Sequence, residues 1–107
     1  MTIAAKRLAD GQLPAARGDL YTVPADTTAY IKSIKLHNTD SSAHDVTVTE
    51  EPTGAGTERV IISVTLDAGD TFYFDEPTVM DATDVLRGDD GGTGSVIDYT
   101  VSGAEEA

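Results

Sequence analysis

The chain has 107 residues, no cysteine and a formal net charge of −12. That length provides for one core and no second domain, and a core this small buries only about two-thirds of the surface its unfolded chain exposes. The missing thiols exclude a disulfide framework and thiolate metal sites, and the acidity excludes a nucleic-acid surface, which needs clustered Lys and Arg.

The charge is unevenly divided. Residues 1–35 carry five bases (Lys6, Arg7, Arg17, Lys32, Lys35) against three acids, a balance of +2, whereas residues 36–107 carry two bases against sixteen acids, a balance of −14. A basic leading segment on an acidic body favours head-to-tail contact between copies. No stretch is apolar and long enough to cross a bilayer, and Met1 to Arg7 has no apolar run of the kind a secretory leader needs, so a protein made in a cytoplasm is expected.

Taken in chain order, residues 1–18 are small and polar, with isolated apolar residues Ile3, Leu8 and Leu13, and read as an extended N-terminal arm rather than part of the folded body. Ala4 to Leu8 runs into Asp10-Gly11 and Pro14, too little length for a helix. Leu20 to Val23 is a β-prone run closed by Pro24. Ala29 to His37 is the longest strand candidate; its apolar positions shift from Ala29 and Ile31 to Ile34 and Leu36, the face switch that a β-bulge near Lys32-Ser33 produces. Asn38 to Ser42 is a turn cluster, and Val46 and Val48 alternate with threonines in a half-buried strand.

Pro52 to Thr57 holds two glycines and reads as a hairpin loop. Val60, Ile62, Val64 and Leu66 alternate with Ser63 and Thr65, and Ile61 breaks the polar face, as in a strand covered on both sides. A turn at Asp67 to Asp70 leads to Phe72 and Phe74 on one face, with Tyr73 pointing the opposite way. Val79 and Val85-Leu86 flank a further turn, Asp89 to Gly94 is a glycine-rich loop, and Ile97, Tyr99 and Val101 form the last strand before a polar C-terminal tail at 104–107. The pattern predicts an all-β chain: a single β-sandwich, jelly-roll-like, of seven or eight short antiparallel strands over residues 19–103. Crossover helices for a parallel sheet are absent.

Few residues carry catalytic chemistry. His37 and His44 are the two histidines, and both read as solvated strand-end residues rather than members of a Ser-His-Asp site. They lack a third ligand at metal spacing, so no metal and no cofactor is expected. Asp84, Asp89 and Asp90 with two glycines resemble oxygen ligands for calcium, but lack the spaced acids of an EF-hand and read as an acidic turn. Glu50 and Glu51 are adjacent on a strand and point to opposite faces, which rules out a glycosidase carboxylate pair. Arg-Gly-Asp occurs at 17–19 and at 87–89, where it reads as turn chemistry. Tyr73 is a candidate for a sugar-stacking or subunit-contact surface. The expectation is a structural or binding protein and not an enzyme.

Four segments together carry a family likeness. Leu20-Tyr21-Thr22-Val23-Pro24-Ala25, the strand Thr28 to Ile34 followed by Asn38-Thr39, the turn Leu66-Asp67-Ala68-Gly69-Asp70-Thr71 and the closing Asp98 to Gly103 resemble the small virion proteins of tailed bacteriophages. The resemblance implies a β-sandwich subunit on the outside of a particle assembled in the host cytoplasm. The implied role is a capsid decoration (cement) protein that stabilises the head, with the major capsid protein or another virion protein as partner and a homotrimer as the assembly. Its alternative is a tail, baseplate or head-fibre component binding a carbohydrate or receptor. Neither nucleic acid nor membrane is expected as a partner. On this reading residues 1–18 dock the subunit, with Lys6, Arg7, Leu8, Leu13 and Arg17 as contacts.

Overall fold

A computed structural model describes residues 3–52 and 57–107 of the chain. The described strands are β1 (Ile3–Gln12), β2 (Gly18–Thr22), β3 (Thr28–Asn38), β4 (His44–Glu51), β5 (Arg59–Leu66), β6 (Thr71–Phe74), β7 (Thr78–Met80), β8 (Val85–Asp89) and β9 (Ile97–Glu106). No helix occurs among the described residues. The loop expected at Pro52 to Thr57 falls between β4 and β5, and its residues 53–56 lie outside the described residues.

The strands pair as nested hairpins: β4 with β5, β3 with β6 and β7, β2 with β8, and β1 with β9, all antiparallel. The chain is thus one long folded ribbon whose tip is the β4–β5 connection. Two more pairings, β3 with β9 and β4 with β8, roll that ribbon into two sheets. One has the order β1-β9-β3-β6, with β7 also on β3, and the other β2-β8-β4-β5. This is a jelly-roll sandwich, and the rolling covers the apolar face of each sheet with the other.

The alternating residues of both sheets meet in that core. From the first sheet come Ala29, Ile31, Ile34, Leu36, Met80, Ile97 and Val101, and from the second Val46, Val48, Ile62, Leu66 and Leu86, all buried. Burying each large aliphatic side chain contributes about 1.5–3 kcal/mol. Phe72 and Phe74 pack on the edge of this cluster while Tyr73 faces water, as their alternation predicts.

Four strands each carry one extra residue opposite a continuous partner. The extra residues are Leu8 in β1, Leu20 in β2, Lys32 in β3 and Ile61 in β5. The bulge at Lys32 is the one the face switch in β3 predicts. Those at Leu8 and Lys32 flank β9 on either side at Ser102, which pairs with Arg7 on one side and Ser33 on the other. Next to that level, a Cβ on Gly103 would lie 1.9 Å from the Tyr30 carbonyl oxygen, so only glycine lets β3 approach β9 this closely.

Three expectations need correction. Residues 3–12 of the expected arm are not free: they form edge strand β1, paired along its length with β9. Its small residues conceal the strand, because only one face meets the sandwich and the bulge at Leu8 breaks the apolar alternation. The expected tail is likewise β-structure, since β9 continues to Glu106 opposite both β1 and β3. Finally, Val60 is 61 % exposed. The bulge at Ile61 shifts the register there and leaves Ile61, not Val60, packed against the core.

Candidate functional site

The five expected docking contacts are dispersed and engaged within the domain. Leu13 is fully buried in the core, its backbone bonded to Ile97 and Ser95, so it is not available to a partner. Leu8 is half-buried against the same cluster. Lys6 donates to Glu105 at 2.8 Å and Arg7 pairs with Asp10 at 2.9 Å. Arg17 is held by two carboxylates, Asp89 at 2.6 Å and Glu58 at 3.2 Å, with Asp89 the larger cause of its raised pKa. A segment whose side chains have intramolecular partners does not act as a loose docking arm.

The two Arg-Gly-Asp triplets are not turns. The first begins one residue before β2 and the second lies within β8, with Gly18 opposite Gly88 and Asp19 opposite Arg87. Arg17 reaches Asp89, while Arg87 Nε lies 2.8 Å from Asp19 and its Nη2 3.1 Å from Glu51. The Arg87–Asp19 contact is an ion pair by distance, but the Nε–H is not aimed at an acceptor. Thr49, buried beneath, donates to Glu58 at 2.6 Å; this bond first, and Arg17 after it, holds the Glu58 carboxyl below its usual range. Glu51 therefore belongs to this network, whereas the Glu50 carboxyl is raised by burial and by nearby Asp84.

The histidines are not brought together. His37 Nδ1 is 2.7 Å from the Thr71 hydroxyl, and His44 Nε2 is 2.7 Å from Asp40. Their bonds hold them in separate places, and the His44 contact, with the Ser41 N–H, keeps the Asp40 carboxyl below its usual range. The aspartates considered for calcium serve the chain itself. Asp84 accepts from the Asp81 N–H, Asp89 faces Arg17 and the Gly91 N–H, and buried Asp90 accepts from the N–H groups of Gly92, Thr93 and Gly94. Asp90 is in effect the internal cap of the glycine-rich loop. Among the described residues, no group of three or more His, Asp and Glu side chains is arranged to hold a metal ion.

Asn38 links two of the sequence signatures. Fully buried, it donates through Nδ2 to the carbonyls of Ser42, Leu66 and Asp67, and its Oδ1 accepts from the Asp40 N–H. Its backbone N–H bonds to Asp70 and its carbonyl accepts from Gly69. The Asn38-Thr39 element and the Leu66–Thr71 turn are thus one hydrogen-bonded unit.

A cluster of polar side chains lies on the outer face of the first sheet. Two cross-strand rows, Thr100–Lys35–Tyr73 and Asp98–His37–Thr71, are set side by side by the registers of β9, β3 and β6. Together they line a depression of about 430 Å³. Tyr73 is 58 % exposed, and Gln12 fixes Asp98 by donating to its Oδ1 at 3.0 Å. Lys35 and the nearby Lys32 have no ion-pair partner among the described residues, in contrast to Lys6, Arg7, Arg17 and Arg87. Alternation in the sequence points Tyr73 outward and His37 reads as a solvated strand-end residue; the placing of Lys35 and Asp98 beside them requires the register.

No family model and no curated protein matches the chain. A solved structure from work on Bacillus endospore appendages, described as a novel family of disulfide-linked pili, has a TM-score of 0.61 to it at 12 % identity. The match covers 99 % of this chain and 88 % of that one. The likeness is one of fold, and this chain has no cysteine with which to form a disulfide.

Proposed function

We propose that this protein is a non-enzymatic structural subunit of a tailed-phage virion, acting as a capsid decoration protein that holds shell proteins together. The observation that carries the reading is the Asn38 unit. Two of the segments resembling phage virion proteins, separated by more than twenty residues, are tied in this chain by one buried side chain, which supports reading them together as one signature. The other two, Leu20–Ala25 and Asp98–Gly103, fall on β2 with its exit and on β9.

The role is mechanical. A standard interface of about 1,600 Å² across a capsomer junction resists separation of the shell proteins. With β1 locked into the sandwich, attachment falls to exposed side chains of the folded body such as Val60 and Val79, which are 61 % and 59 % exposed. A homotrimer is the proposed assembly, with a solution mass roughly three times 11.2 kDa by light scattering.

Antibodies raised against the purified domain and applied with gold label to particles released from cells carrying the coding sequence test the reading. Label on heads is the expected result. Label on tails alone would replace decoration with a tail role, and unlabelled intact particles would end the virion proposal.

A further inference from the structure

We propose that the depression on the outer face of the first sheet is a binding site for a neutral saccharide, with Tyr73 as its stacking platform. The six lining residues come from three adjacent strands in register, so their positions are fixed by backbone pairing. Strand spacing and rise give the two rows a footprint of about 10 by 7 Å, suited to one or two pyranose rings.

The chemistry matches a polyhydroxylated ring in each part. Tyr73 offers an exposed aromatic face to apolar C–H edges, with a polar hydroxyl beyond it. Asp98 accepts from Gln12 through Oδ1, and among the described residues no side chain donates to its Oδ2, which is free to accept from sugar hydroxyls. Among the described residues Lys35 has no carboxylate partner and so can donate to hydroxyl oxygens, while Thr100 supplies a hydroxyl that both donates and accepts. His37 is held in place by Thr71.

Other ligands fit less well. An anion would meet the Asp98 carboxylate beside Lys35 and the repulsion of a chain with net charge −12. The depression is too shallow and too polar to enclose an apolar molecule. A single such site is weak, but repeated copies on one particle would raise its avidity by about 10²–10⁴.

The test is amide chemical-shift perturbation of the full-length protein with a panel of methyl glycosides of neutral hexoses and N-acetylhexosamines. At least one is expected to shift Lys35, His37, Tyr73 and Thr100 in a saturable way with a millimolar Kd. Tyr73→Ala is expected to weaken that glycoside by about tenfold, and Tyr73→Phe, which keeps the ring, to retain it. Because Tyr73 is exposed, both variants should keep the wild-type spectrum elsewhere. The proposal is overturned if no glycoside moves these amides, if Tyr73→Ala binds as the wild type does, or if inorganic phosphate moves them equally well. The gold-labelling result is read separately, so failure here leaves the virion proposal standing or falling alone.

Discussion

Gly18 and Gly88 stand directly opposite one another, each at the centre of an Arg-Gly-Asp triplet. Antiparallel pairing about two such glycines sets the arginine of each triplet beside the aspartate of the other. Arg17 meets Asp89 on one side and Arg87 meets Asp19 on the other. A triplet readily taken for an adhesion motif is here an internal, reciprocal clasp joining β2 to β8.

The clasp has a measurable coupling. Arg17 and Asp89 side chains are 33 % and 14 % exposed, so their pair falls in the upper part of the range for surface ion pairs. A double-mutant cycle with Arg17→Met and Asp89→Asn is expected to give about 0.5–1 kcal/mol by urea denaturation, declining as salt is added. Zero coupling at low salt would reduce the clasp to a geometric coincidence.

Asn38→Ala should be among the most damaging polar substitutions. It takes the Nδ2 donor from the buried Leu66 carbonyl and the Oδ1 acceptor from the part-buried Asp40 N–H, while the Asp67 carbonyl keeps its bond from the Asp70 N–H. Each orphaned group costs about 1–3 kcal/mol, so a loss of about 3 kcal/mol or more is expected from denaturant midpoints. A loss below about 1 kcal/mol would mean that water replaces the side chain.

Gly103→Ala tests the close approach of β3 and β9. The added carbon would sit 1.9 Å from Tyr30 O, which the strands must separate to admit. We expect a destabilisation above about 3 kcal/mol, greater than ordinary overpacking. A near-neutral variant by thermal denaturation would show that this seam yields easily.

The two sheets also share a pH-dependent bond. Tyr21 of β2 donates to Glu105 of β9, to which Lys6 also donates. Lys6 first, then Tyr21, holds the Glu105 carboxyl below its usual range, while burial first, then Glu105, pushes the Tyr21 phenol up. A depressed carboxylate contributes stability that is present above its unfolded value of about 4.3 and lost as pH falls through the folded one. A raised phenol contributes stability that is present below its unfolded value of about 10 and lost as pH rises through the folded one. Tyr21→Phe should therefore be less stable than the wild type at neutral pH, with the gap narrowing as pH falls through the Glu105 range and closing, then reversing, as pH rises through that of the buried phenol. A constant gap in urea midpoint at every pH would contradict the linkage.

Legibility in the sequence followed the range of the interaction. The bulge in β3 was visible because Ile31 and Ile34 have the wrong spacing for one face, a local fact. The outward placement of Tyr73 between Phe72 and Phe74 was visible for the same reason. β1 was hidden because its partner lies almost the whole chain away and its own apolar residues are interrupted at Leu8. The Arg-Gly-Asp triplets were visible as motifs, yet their pairing depends on a register between strands about seventy residues apart. The depression lined by Tyr73 is a mixed case: alternation turns Tyr73 outward, and only the sheet order and register set Lys35, His37 and Asp98 around it.

The nested ribbon also bears on the order of assembly. β4 and β5 close across a short connection, whereas Ile3 meets Glu106 only when nearly the full chain is looped. Closure entropy grows with loop length, so the β1–β9 pair is expected to form late, and a fold dominated by such distant contacts is expected to refold in milliseconds to seconds. The same strand, bonded on one side only, should be first to let go, with β1 amides exchanging hydrogen faster than those of β4. Under sustained load, the lifetime of the domain is then set by the peeling of this outer seam while the core behind it is still closed.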